Sequence, residues 1–146
     1  MMEKVPLEER QRLQRILAEL EEYQTTADLL RQQLSIWASS ISELLMTVET
    51  VKTIKGLKPD TEILVPIGSD SYATTKIAIT DRVITGLGAN ISAERSIEDA
   101  VKMLEARISE FEEHMEQAKN ELEKLGERIE ALRPEAERIL KKTEEE

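Results

Sequence analysis

The stretch EILVPIGSDSYATTKIAITDRVITGLGANISA, residues 62–93, decides the fold. Glu62 to Gly68 alternates as a strand does, so Ile63, Val65 and Ile67 share one face. Gly68-Ser69-Asp70-Ser71 has turn composition, and Tyr72 to Ile79 reads as the return strand, with Ala73, Thr75, Ile77 and Ile79 on a common face. Thr80-Asp81 turns the chain again. Val83 to Leu87 makes a third strand, and Gly88-Ala89-Asn90 leads to a short fourth one through Ile91 and Ala93. Two β-hairpins in so short a span are marginal alone in water. Their open edges ask for pairing with other chains. The segment therefore reads as an assembly element, with Ile63, Val65, Ile67, Ile77, Ile79, Val83 and Leu87 as its oligomerisation residues.

On either side the period changes. Of five Gly and four Pro, six fall between Gly56 and Gly88, leaving two breaker-poor arms. In the first, Leu13, Ile16, Leu20, Tyr23, Ala27, Leu30, Leu34, Trp37, Ile41, Leu44, Val48 and Val51 alternate spacings of three and four. In the second, Ile97, Val101, Leu104, Ile108, Phe111, Met115, Ala118, Leu122, Leu125, Ile129, Leu132, Ala136 and Ile139 do the same. Seams of this length predict a left-handed coiled coil, each arm about 60 Å long at the α-helical rise. Two helices that enter and leave one hairpin module must run antiparallel, with both chain ends together at the far end. The fold class is mainly α with a small β module. One domain over residues 1–146 is expected, with helices over 5–55 and 96–140 and the hairpins over 60–95.

Local signals agree with these bounds. Pro6 suits a first helical turn, and Glu8 and Glu9 lie near the positive end of the helix dipole. Lys52 and Lys55 precede Gly56, a left-handed stop. Ser96 with Asp99 resembles a capping box. Gly126 is a soft spot, and Pro134 is expected to kink the second helix or nearly end it, by simple tolerance or as a hinge.

Composition sets limits on function. The 146 residues carry a net charge of −10 and 3% aromatic residues, too few large anchors for a conventional core of this length. Residues 96–146 hold 16 acids and nine bases, so −7 of the −10 lies there. An acidic chain does not attract phosphates, and nucleic acid is not expected as a partner. No cysteine is present for a disulfide, a thiolate metal site or a nucleophile. No run of 18 apolar residues exists to span a membrane, and the start Met1-Met2-Glu3-Lys4 carries no apolar signal segment. His114, the only histidine, flanks the seam among Glu112, Glu113 and Glu116. It has no second histidine or cysteine to converge with, and it reads as surface. Gly86-Leu87-Gly88 lacks the third glycine of a dinucleotide loop, and no phosphate loop occurs. No enzyme activity, cofactor or metal is expected. The charged cluster from Lys141 to Glu146 reads as a frayed tail.

The far end of the arms is less regular. Extending the first seam backwards lands on Glu9 and Pro6, which pack poorly, so Val5 and Leu7 have no assigned partner. Leu17 and Leu140 lie off the seam in the same region. These residues either fold over to cap the coil or form an exposed apolar patch that grips other apolar surfaces. Leu29, Ile36 and Leu45 also leave the seam.

The whole plan resembles the α-class subunits of the prefoldin family. Glu62 to Gly68 with its serine turn is similar to the family's first strand and turn, and Asp81 to Ala89 to its third strand and glycine turn. Glu94 to Leu104 resembles the entry to the second helix, and Leu132 to Glu137 the proline-containing segment near the C-terminus. Two hairpins instead of one point to the α class. The resemblance implies an ATP-independent cytoplasmic chaperone without cofactors. Its partners would be β-type subunits in an α2β4 hexamer built on a β-barrel platform, non-native client proteins, and a group II chaperonin that receives them. Clients would be held at the apolar tips, here Val5, Leu7, Leu13, Ile16, Leu17, Ile139 and Leu140. The alternative is a structural coiled-coil protein that self-assembles through its hairpins into filaments or spacers. The middle segment is too short for the hinge of a chromosome-organising protein.

Overall fold

The computed structural model describes residues 5–145. Met1 to Lys4, at the expected signal-free start, and Glu146, in the expected tail, lie outside them. The elements follow in the order α1 (Leu7–Lys55), β1 (Glu62–Gly68), β2 (Ser71–Lys76), β3 (Arg82–Gly88), β4 (Ile91–Ser96) and α2 (Ile97–Glu144). The residues fall into two compact units. One joins the chain up to Ala38 with the chain from Glu113 onward, and the other is Ser39–Glu112.

Every seam position expected from the sequence is buried or half-buried. In the unit Ser39–Glu112, Val48 and Val51 of α1 pack with Ile97, Ala100, Leu104 and Ile108 of α2. Lys55 and Glu98 pair at the hairpin side of this cluster, so the two helical segments run antiparallel there. In the other unit, Leu13 and Ile16 meet Ala136 and Ile139, and Arg12 pairs with Glu135, again antiparallel. Small Ala27, Ala118 and Ala136 are buried where bulkier residues would push the helices apart.

The helix ends differ in detail from expectation. Helix α1 begins at Leu7, with the Pro6 carbonyl accepting from the Arg10 amide. Ser96 caps α2 as foreseen, its Oγ accepting from the Asp99 amide at 3.1 Å. Pro134 does not end α2, which runs on to Glu144. Beyond the proline, Ala136 and Ile139 still bury their side chains, and that burial outweighs one lost backbone bond.

The β segment forms two separate two-stranded antiparallel sheets, β1 with β2 and β3 with β4. They share one design. Ser69 and Asp70 in the first hairpin, and Ala89 and Asn90 in the second, all have positive φ, as a two-residue type I′ turn requires. Gly68 and Gly88 precede these turns at φ 108° and 95°, a conformation few other residues adopt. The register skips one residue in each first strand, Ile67 and Leu87. Strand β2 stops at Lys76, so Ile77 and Ile79 lie outside any strand. Its partner ends at Glu62, because Asp60 takes a φ of 69° and Thr61 turns back onto Lys58. Strand β4 runs longer than expected, to Ser96, because β3 opens at Arg82 and Arg82 pairs with Ser96.

Candidate functional site

Two surfaces stand out, one in each unit. In the hairpin unit, pairing fixes which residues share a face. Ile63 lies opposite Thr75, and Val83 opposite Arg95; all four are half-buried on the inner faces. Val83 packs against the helical cluster. Arg107 of α2 donates to the Gly86 carbonyl at 3.1 Å, tying the second hairpin to the helix. Arg95 Nε donates to Thr85 Oγ1 on the same inner face. Beyond the end of β2, Ile77 and Ile79 line an apolar depression of about 420 Å³ with Ile54, Val83 and Ile84. Arg82 and Glu94, 3.5 Å apart, form its charged rim.

The outer faces carry apolar side chains as well. Leu64 and Tyr72 are exposed there, and Ile84 is 77% exposed. The alternation read along the sequence selected Ile63, Val65, Ile67 and Val83 and passed over this opposite face. The missed signal is the unbroken run Ile63-Leu64-Val65-Pro66-Ile67, the pattern of a strand covered on both sides. Of the expected oligomerisation residues, Ile63, Ile77 and Val83 are half-buried, while Val65, Ile67, Ile79 and Leu87 are exposed.

In the other unit, the first turns of α1 meet the last turns of α2. Here the seven apolar residues singled out from the sequence divide. Val5, Leu13, Ile16 and Ile139 are buried in one cluster with Ala136, Ile139 completely so. Leu7, Leu17 and Leu140 are exposed, Leu7 at 70%. Val5 is thus not left without a partner: it joins a cluster formed by both helices. Charged residues surround the cluster. Arg12 pairs with Glu135, and the Glu9 carboxylate reaches Lys142 at 3.4 Å and Arg138 at 4.0 Å.

Elsewhere in this unit two ring contacts join the helices. Trp37 stacks on His114, and the Arg128 guanidinium lies 5.9 Å over Tyr23. In the hairpin unit the Lys55 ammonium, hydrogen-bonded to Glu98, holds that carboxyl below its ordinary range. Among the described residues no group of His, Cys, Asp and Glu is arranged to hold a metal ion. None of their helices is long and apolar enough to cross a membrane. The exposed apolar side chains and open strand edges of these surfaces offer apolar contact and strand pairing.

Comparison with known proteins points the same way. The family described as "Prefoldin subunit" matches residues 23–142. The prefoldin subunit alpha of Methanopyrus kandleri is 36% identical over 112 residues, covering 77% of this chain and 71% of that protein. A chain in the cryo-EM structure of filamentous PFD from Methanocaldococcus jannaschii superposes with a TM-score of 0.71 at 29% identity, covering 79% of this chain and 95% of that one. The prefoldin beta subunit from Thermococcus strain KS-1 shares the fold, with a TM-score of 0.55 at 18% identity over 93% of this chain and 94% of that one.

Proposed function

This chain belongs to the prefoldin family, and from that premise we propose that it works as the α-type subunit of an ATP-independent chaperone that captures non-native proteins. The observation that carries the assembly half of this reading is the exposed outer face of each hairpin. Leu64, Tyr72 and Ile84 lie open on two-stranded sheets whose free edges have no partner among the described residues. Sheets this small gain stability from added strands, and burying these residues against β-type subunits closes both edges and faces at once. An α2β4 hexamer on a β-barrel platform accommodates this.

Capture is assigned to the apolar end formed by residues 5–17 and 132–140. Each chain presents only a few side chains there, so affinity grows from several subunits acting together. An apolar patch of this kind has no sequence preference, which suits clients of many kinds handed on to a group II chaperonin. The acidic coil surface keeps the empty assembly soluble.

A second reading, self-assembly into filaments through the hairpins, draws support from the similarity to filamentous PFD. Native mass separates the two. The chaperone reading predicts a defined hexamer only when a β-type subunit is added; a filament former polymerises alone.

A further inference from the structure

Glu9 occupies a place where a coiled coil wants an apolar residue. Counting back four from Leu13 puts it on the seam, and its side chain is only 27% exposed. Its two oxygens fare differently. Oε1 reaches Lys142 at 3.4 Å and Arg138 at 4.0 Å, both cations about half exposed. Oε2 is buried with no hydrogen-bond partner among the described residues. Ion pairs to half-exposed cations contribute little, whereas a buried carboxylate oxygen without a donor is costly. On the other helix the seam continues four residues past Ile139 to Thr143, also not apolar. The last apolar layer is therefore held shut by Val5 and by a carboxylate that fits the position badly.

Building on the capture function assigned above, we propose that Glu9 is a polar clasp that keeps this end reversibly closed. In the closed form Leu7, Leu17 and Leu140 face outward, and Val5, Leu13, Ile16 and Ile139 are covered. When the first turns of α1 lift from α2, the Oε2 atom regains solvent and the covered residues become available to a non-native chain. An apolar side chain at position 9 would hold the layer permanently; Glu9 makes closure weak enough to yield to a client. Glu9 is thus a positioning residue that acts through the residues it covers.

The test uses the complex reconstituted with β-type subunits and a chemically unfolded enzyme as client. Glu9→Leu completes the seam and removes the stranded oxygen; it should slow amide exchange of residues 10–16 at least tenfold and reduce client capture several-fold. Glu9→Lys sets a cation against Arg138 and Lys142; it should speed exchange there and raise binding of an apolar dye, with capture at or above the original level. If Glu9→Leu slows exchange but captures as well as the unaltered complex, opening is not needed and the clasp is refuted. If it fails to slow exchange, Glu9 does not limit opening and the proposal is again refuted. If the unaltered complex captures nothing, the capture assignment itself has failed, a result distinct from both.

Discussion

Trp37 and His114 stack with ring centroids 5.5 Å apart and 22° between their planes. Trp37 is a half-buried seam residue of α1, and His114 lies one step off the seam of α2. Trp37 is the only tryptophan, so the emission reports on this one site. His114→Ala should shift that emission to longer wavelength and lower the unfolding free energy by about 0.5 kcal/mol, the low end for an aromatic pair because His114 is exposed. An unchanged spectrum would show that the ring does not shield the indole.

Pro134 lies inside α2 without a backbone donor, ten residues before the helix ends at Glu144. Pro134→Ala restores that donor and removes the ring's clash with the preceding turn. Thermal unfolding should reveal a stabilisation of about 2 kcal/mol. A loss of stability would mean the helix needs a proline-induced bend to bury Ala136 and Ile139.

Ala89 adopts a φ of 49°, and its structural counterpart in the first hairpin is Ser69 at 48°. A side chain with no polar group to offset the strain is disfavoured there, whereas asparagine adopts this region readily. Ala89→Asn should protect the β3–β4 amides from hydrogen exchange by about 0.5 kcal/mol more than the original residue. Ala89→Val should do the opposite.

Glu98 makes a contribution to stability that depends on pH. Its carboxyl is held below its ordinary value of 4.5, chiefly by the hydrogen bond from Lys55. A carboxyl depressed in the folded state stabilises above its unfolded value, and that effect disappears as pH falls through the lower folded value. The stability difference between the original chain and Lys55→Met should therefore be constant from neutrality to about pH 5 and shrink below 4.5. Added salt should shrink it at every pH, since both groups are exposed. A difference that grows on acidification would contradict the pairing.

Much of this was legible along the chain because two periodicities carry it. The spacing of three and four selected residues that are all buried or half-buried, from Leu13 to Val51 and from Ile97 to Ile139, and passed over only Ala100 among the fully buried helical residues. The turn residues Ser69-Asp70 and Ala89-Asn90 fixed where each hairpin reverses. What escaped depends on partners distant in sequence. Val5 is buried by Ile139 and Ala136, and nothing local announces that. Ile79 looks like a strand residue, yet the regular ladder ends before it: Ile77 still exchanges backbone bonds with Asp60 and Thr61, where the positive φ of Asp60 turns the partner chain away. Arg107 meets the Gly86 carbonyl across 21 residues, a pairing that no spacing rule selects. Leu64 and Ile84 escaped for a different reason: two-residue alternation assigns one face inward and says little of an outward face awaiting another chain.

The most direct test of the central claim follows light scattering while a chemically unfolded enzyme is diluted into buffer without ATP. With this chain and a β-type partner subunit present at stoichiometric complex, scattering should stay near baseline, and Leu7→Ser combined with Leu17→Ser should restore much of it without altering the native mass of the complex. Scattering that rises as fast with the assembled complex as without it would contradict the chaperone function.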